Sequence, residues 1–433
     1  MYSDNESLIK EAHRITSLLK KDFLLPNGAL CLEKYGNEVF EHHIFPDLGD
    51  FLPFFLYFHE VDFIEKQIEI YRQTLQGGYL VSEFSSFHIP NLVKSYEYSD
   101  LLFGLYDYHT FKKDKISFDL LKSTSDLAIN TFRFDRNIKS FFHSKFRKNL
   151  PLLDTRDGTF IEYYIDLFRL TKENKYKDVS YNIYKNLINT DYYKNHGLFA
   201  VYDVGIILKI IFFILGIKKH KIVVICKNNS NTLFGMLALY SETKDENVLA
   251  SIDKVINGIK SKLIVDGGVS DFFVENQSNG VSTLTASFPI IDLLCDLYNE
   301  TKNKEYISLA QNIADYWIGR QGKTGLFPLR SNMNESFFDS ETDMCVALAK
   351  VFELTNDVKY KNSMDKCFNG IMEYHATNNY VLGVDINTGK VLNKSQRTKF
   401  IALFLKLLIL KIRMNEGVNI YSDKILWNLL RDR

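Results

Sequence analysis

Four apolar stretches of this chain end on the same polar punctuation. They close at Thr171-Lys172, Thr243-Lys244, Thr301-Lys302 and Thr355-Asn356, and a Lys and a Tyr usually follow within a few residues: Lys175-Tyr176, Lys304 before Tyr306, Lys359-Tyr360. The marks recur roughly every 55 to 70 residues, the length of one helical hairpin and a loop. A second marker keeps the same phase. Gly197-Leu198-Phe199, Gly267-Gly268-Val269, Gly325-Leu326-Phe327 and Leu382-Gly383-Val384 each follow an outer helix and precede the next inner one. Two markers in phase make a helical-hairpin repeat the frame into which everything else must fit.

The repeat runs through most of the 433 residues, which predicts one toroidal domain over 1–433, with residues 1–45 as a helical lead-in. Apolar residues at helical spacing predict hairpins near 48–76, 94–135, 157–190, 229–263, 284–319, 338–374 and 395–432. Residues 203–217 form an extra apolar helix between the third and fourth. The turns within hairpins are short and polar. The loops leading into inner helices are long and rich in Asp, Glu, Tyr and Phe. That asymmetry gives one functional face and favours closure over an open solenoid. The fold class is therefore all-α, an (α/α)6 toroid of antiparallel hairpins or its seven-hairpin form.

Composition removes several functions. The 53 Lys plus Arg are balanced by 53 Asp plus Glu, so the basic field needed for phosphate-backbone binding is absent and nucleic acid is not an expected partner. Cys31, Cys226, Cys295, Cys345 and Cys367 are scattered and show no metal-ligand spacing, which suits a reducing compartment. The amphipathic N-terminus lacks the basic and apolar regions of a secretory signal, so the expected location is cytoplasmic. Apolar runs at Val204–Ile217 and Phe400–Leu410 are interrupted by Lys209 and Lys406 and fall short of the ~20 residues of a membrane span. His42, His43, His59, His88 and His109 form no HExxH, and GxGxxG, P-loop and GxSxG motifs are missing. The Cys-His-Gly element of lanthionine cyclases and the aspartate-rich motifs of terpene cyclases are missing too. Neither cofactor nor metal is expected.

The hairpin pattern, with its in-phase Thr-Lys turns and Gly loops, resembles the (α/α) toroid of the six-hairpin glycosidase superfamily and related carbohydrate epimerases and lyases. The resemblance implies a substrate cleft at one end of the barrel, with catalytic carboxylates where the long loops enter the inner helices. Asp47 and Asp50 stand at the first such entry, where N-capping is the plain alternative. The second, "KSYEYSDLLFGLYDY", offers Tyr96, Glu97, Tyr98 and Asp100: rings to stack on a sugar and an acid to move a proton, or a cap with packed tyrosines. The third holds Asp154, Arg156 and Asp157, a salt-bridged cap or a set in which Arg156 holds a uronate carboxylate. The loop "DGGVSDFFVENQSNG" brings Asp266, Asp271 and Glu275 beside Phe272, Phe273 and Asn276. The segment "FPLRSNMNESFFDSETDMCVALAKVF" carries Arg330, Asn334 and Glu335, then Asp339, Glu341 and Asp343 at a helix start. Three carboxylates in five residues exceed what a cap needs, and two sharing the cleft would split their protonation behaviour. Gln396, Arg397 and Lys399 stand at the last entry as anion contacts.

Hydrolysis of a glycosidic bond needs two carboxyls with different roles. The expected catalytic set is one of Asp339, Glu341 and Asp343 with one of Asp100, Asp157 and Asp271. Tyr96, Glu97, Tyr98, Arg156, Phe272, Glu275, Arg330 and Arg397 are the expected substrate contacts. The leading expectation is a glycoside hydrolase acting on an oligo- or polysaccharide. A uronate epimerase or lyase on the same fold is the second, and a glycan-binding scaffold without turnover the third.

Overall fold

The Thr-Lys punctuation is a complete piece of hairpin chemistry. Each threonine hydroxyl donates to the carbonyl four residues back: Thr171 to Leu167 at 2.8 Å, Thr243 to Leu239 at 2.8 Å, Thr301 to Leu297 at 2.7 Å and Thr355 to Val351 at 2.7 Å. The next residue (Lys172, Lys244, Lys302 or Asn356) turns left-handed, with φ of 61, 52, 59 and 57°. Its N–H then closes the helix onto Phe168, Tyr240, Tyr298 or Phe352, which satisfies an otherwise orphaned carbonyl. The threonine oxygen also accepts the N–H of Glu173, Asp245, Asn303 or Asp357. The last three of these cap the following helix with their own side chains. One short motif thus ends one helix, reverses the chain and starts the next.

The computed structural model describes residues 4–36, 38–43, 45–75, 92–94, 96–132, 134, 142–144, 149–150, 152–204, 223–274, 277–278 and 280–431. Its helices are α1 (Asn5–Asp22), α2 (Phe45–Tyr57), α3 (Val61–Leu75), α4 (Tyr96–Lys112), α5 (Lys115–Phe132), α6 (Thr159–Thr171), α7 (Asn174–Ile188), α8 (Asp191–His196), α9 (Cys226–Thr243), α10 (Glu246–Lys262), α11 (Leu284–Thr301), α12 (Lys304–Ile318), α13 (Phe338–Thr355), α14 (Val358–Gly370), α15 (Thr398–Asn415) and α16 (Lys424–Leu430). The apolar segment expected as an extra helix lies, beyond Val204, outside the described residues. Among the described residues no helix is long and apolar enough to cross a membrane.

Inner and outer helices differ in burial as a hairpin repeat requires. In α11 every residue from Ala286 to Leu297 is buried. Its partner α12 buries Tyr306, Ile307, Ala310, Ile313, Ala314 and Trp317, a stripe at helical spacing. The chain divides into two compact units, residues 1–79 with 282–432 and residues 80–281. In the first unit the buried helices pack side by side in the order α11, α13, α15, α2, and in the second the order is α4, α6, α9.

The N-terminal helix, expected as a lead-in, is the outer partner of α15. The two run antiparallel, since Asn5 at the start of α1 accepts a hydrogen bond from Asn415 at the end of α15 at 3.0 Å. Arg14 of α1 donates to the Tyr380 hydroxyl at 2.8 Å and the Ala376 carbonyl at 3.2 Å, and the same tyrosine donates to Glu11. The last hairpin expected from sequence is accordingly completed by the first helix of the chain, while α16 adds a shorter contact to α15.

Short strands stand immediately before several buried helices. Residues 335–337 pair with 383–385 ahead of α13, 395–397 pair with 33–35 ahead of α15, and 223–225 pair with 272–274 ahead of α9. Each entry loop is therefore held as a sheet edge.

Candidate active site

A residue two positions along a helix points about 200° away, whereas one four positions along returns to the same face. The three carboxylates at the start of α13 divide accordingly. Asp339 and Asp343 share one face, and Glu341 points to the other. Glu341 is fully buried. Its Oε1 accepts the Phe327 N–H at 2.7 Å, and Oε2 lies 2.8 Å from the Cys367 thiol. Burial pushes its carboxyl up to about 8, because the charged form has lost its water.

The repeat explains what Glu341 does. Phe327 closes the Gly325-Leu326-Phe327 loop, and Glu341 is the fourth residue of α13. In the other unit Asn229 is the fourth residue of α9, and it accepts the Phe199 N–H at 2.8 Å and donates to the Phe199 carbonyl at 3.0 Å. Phe199 closes the Gly197-Leu198-Phe199 loop. Both glycines are left-handed, at φ 70° for Gly197 and 86° for Gly325, and each passes so close to a backbone carbonyl of the outer helix that a Cβ would collide with it. Glu341 is thus a loop anchor equivalent to Asn229. Of the three acids expected at this entry, Glu341 is the one enclosed in the core, on the side of the helix away from Asp339 and Asp343.

Asp343 ends elsewhere. Its carboxylate pairs with Lys406 Nζ at 2.6 Å across the seam between α13 and α15, and the lysine is almost wholly buried. At the mouth of the same seam Phe337 and Phe400 meet edge to face, with centroids 6.5 Å apart, and both rings are half-buried. Asp339 lies on α13 between these two contacts, its Oδ1 accepting the Ser340 N–H at 2.8 Å. The Arg397 guanidinium lies 5.4 Å over the Phe400 ring and 3.3 Å from Glu33. Lys399 pairs with Asp50 of α2. The seam therefore gathers two acids on one helix face, two rings at the mouth, and three cations each matched to a carboxylate.

Sequence reasoning missed Lys406, Phe337, Phe400 and Glu33. A signal existed for the first: one lysine inside an otherwise apolar run must find a counter-charge once the helix is buried. His375 was also missed. It is fully buried, with Nδ1 2.7 Å from the Val381 carbonyl and Nε2 2.9 Å from the Ser336 hydroxyl. A carbonyl can only accept, so Nδ1 carries the proton and Nε2 accepts from Ser336. Burial pulls its pKa down to about 4. This neutral imidazole ties the strand before α13 to the turn after α14.

The remaining candidates are spread over other entries. Arg330 is exposed, in a turn bridged to Thr283 at the start of α11. In the second unit Asp157 is buried in the 3-10 turn that leads into α6, where Gly158 packs directly on Thr232 of α9. The Asp271 carbonyl accepts the Cys226 N–H at 2.9 Å, at the start of α9. Phe272 is exposed on the strand paired with 223–225. Asp100 is half-buried in α4 and accepts from the Ser99 hydroxyl at 3.2 Å. Glu275 and His88 lie outside the described residues, as do the side chains of Tyr96, Glu97, Tyr98 and Arg156.

At the level of sequence, no protein-family model matches the chain and no curated protein is similar to it. Solved structures are similar over nearly its whole length. A D-mannose isomerase superposes with a TM-score of 0.57 at 11% identity, covering 94% of this chain and 98% of its own. Cellobiose 2-epimerase from Bacillus thermoamylovorans gives 0.55 at 12% identity, over 94% and 100%. A GH76 alpha-mannanase from Bacteroides thetaiotaomicron gives 0.53 at 11% identity, over 97% and 98%. The hairpin repeat and these likenesses together give the chain an (α/α) toroid fold.

Proposed function

We propose that this chain is a carbohydrate-active enzyme that hydrolyses a glycosidic bond of an oligo- or polysaccharide, with its site on the α13–α15 seam. The observation that carries the reading is the placement of Asp339 and Asp343 on one helix face beneath the half-exposed Phe337–Phe400 pair. Side chains at i and i+4 have Cβ atoms about 5–6 Å apart, a separation from which two carboxyls can flank one glycosidic bond. Asp339 protonates the leaving oxygen. Asp343, oriented by Lys406, faces the anomeric carbon or the water that attacks it. The aromatic pair offers apolar surface to the C–H face of a sugar ring. The similar alpha-mannanase fold supports a hydrolytic reaction by analogy alone. Five free, buried cysteines favour a reducing, cytoplasmic setting.

A second reading rests on α15. Lys399 and Lys406 are seven residues apart, two turns on one face, and Arg397 precedes them. Cations in that arrangement suit the enediolate formed when a proton is moved beside a sugar carbonyl. The similar isomerase and epimerase folds favour it. Incubation of the purified protein with oligosaccharides and free aldoses, followed by mass spectrometry and NMR, tests both. Shortened chains support hydrolysis, and isomers of unchanged mass support proton transfer. Unaltered sugars throughout would overturn the enzyme reading.

A further inference from the structure

Resting on the site proposed above, we infer that Ser336 is a positioning residue for it: one buried hydroxyl, set by a hydrogen-bonded chain from Glu341 to His375, holds the strand that carries Phe337 into the seam. Side chains alternate in direction along the strand 335–337, and burial follows, with Glu335 and Phe337 half-buried and Ser336 fully buried. What fixes Ser336 from below therefore fixes Phe337 above, and Asp339 follows three residues on, in the first turn of α13. His375 does the fixing, with Nε2 2.9 Å from the Ser336 hydroxyl. The imidazole is itself locked. Its Nδ1–H donates to the Val381 carbonyl at 2.7 Å, and its ring stacks on Phe338 with centroids 5.4 Å apart. It ends a π-helical turn, Ile371–His375, a geometry frequent at functional sites. The Ser336 oxygen also meets the Glu341 carboxyl. A hydroxyl has one hydrogen, and that of Ser336 is committed to Nε2, so toward Glu341 it can only accept. A neutral carboxyl donates to it, whereas a carboxylate has nothing to give. The chain thus runs one way, from Glu341 to Ser336 to His375 to Val381, for as long as Glu341 keeps its proton. Burial keeps that proton in place up to about pH 8. Ionisation turns the Ser336 hydrogen toward the carboxylate, and the strand loses its bond to the imidazole. Facing this chain from other elements are the Cys367 thiol of α14, on Glu341, and the rings of Tyr380 and of Phe404 of α15, both against Phe338. Tyr380 in turn meets the Glu11–Arg14 pair of α1. Asp339, on the same helix, adds a charge that favours neutral Glu341. Burial holds the Cys367 thiol well above its ordinary range and His375 well below its own, so Glu341 is the member that titrates near pH 8.

The test places 4-fluorophenylalanine at position 337 of the full-length protein and follows its fluorine resonance between about pH 6 and 9.5, with rates of oligosaccharide cleavage by the unlabelled protein measured alongside. The resonance should shift with a midpoint near 8 in the wild type. It should stay flat in Glu341→Gln, whose amide offers Ser336 a neutral donor at every pH, and stand displaced and flat in Ser336→Ala. The ratio of wild-type to Glu341→Gln kcat/KM should fall about tenfold between pH 7 and pH 9, and Ser336→Ala should be about tenfold slower than either at pH 7. A resonance that does not titrate near pH 8 in the wild type, one that titrates alike in Ser336→Ala, or cleavage by Ser336→Ala at the wild-type rate would overturn the inference and leave the site standing. Resonances that behave as expected while no saccharide is cleaved would overturn the hydrolytic reading, and the positioning role of Ser336 with it.

Discussion

Glu341 holds the Phe327 N–H at 2.7 Å, as Asn229 holds the Phe199 N–H in another repeat, so an acid and an amide do the same mechanical work. Acid chemistry at this position is incidental to the anchor and leaves a pH signature. The folded carboxyl sits at about 8, above the ordinary 4.5, so the fold favours the neutral form. The associated stability is fully present below about pH 4.5 and falls as pH climbs toward 8. Glu341→Gln keeps the acceptor and should flatten that part of the melting-temperature profile. Glu341→Ala should cost about 2–4 kcal/mol by orphaning a buried N–H and opening a cavity. Thermal melts between pH 5 and 8.5 distinguish the two, and a Gln variant with an unchanged slope would contradict this account.

His375 carries the opposite slope. Burial depresses it from 6.5 to about 4, so its contribution is complete above pH 6.5 and is lost as pH falls toward 4. Proton NMR of its ring should show a neutral imidazole at pH 6, with the proton on Nδ1. A protonated ring at that pH would remove the assigned role.

The hairpin turn makes a prediction about lysines. Lys302 occupies a left-handed position at φ 59°, where only glycine is unstrained. Lys302→Gly should therefore stabilise by about 0.5–1 kcal/mol, and Thr301→Val, which loses the bonds to Leu297 and Asn303, should destabilise by about 1 kcal/mol. Urea titration of both variants reads the signs directly.

Lys350 of α13 is fully buried between Asp292 and Asp296 of α11, and Asp296 also receives the Tyr421 hydroxyl at 3.0 Å and the Trp427 indole N–H at 3.3 Å. Removing the lysine alone takes a shared counter-charge from two buried acids. Lys350→Met should cost about 3–5 kcal/mol, and adding Asp292→Asn and Asp296→Asn should recover much of it. If the single variant were as stable as the wild type, the cluster would not be the fastening described here.

What could be read from the sequence was what is local in it. The Thr-Lys turn closes within seven residues, so its spacing exposed the hairpins and their order. The entry of α13 stood out through the acids clustered at the helix start, and that of α15 through Gln396, Arg397 and Lys399. The direction of each side chain at those entries was less visible. Asp339, Glu341 and Asp343 read as one cluster in a line of letters, and only the helical turn separates them. The partners Lys406 and Glu33 lie 63 and 364 positions from Asp343 and Arg397 (406 − 343 and 397 − 33), and nothing local ties such pairs together. The same holds for α1, whose place beside α15 depends on closing the two ends of the chain.

The proposed catalytic pair is Asp339 with Asp343. It is tested most directly by initial rates of oligosaccharide cleavage for the wild type, Asp339→Asn, Asp343→Asn and Glu341→Gln, with folding checked by circular dichroism. Losses of about 10²–10⁴-fold are expected for each of the two aspartate variants, with activity near wild type for Glu341→Gln. Cleavage that survives both aspartate substitutions, or that disappears only with Glu341→Gln, would contradict it.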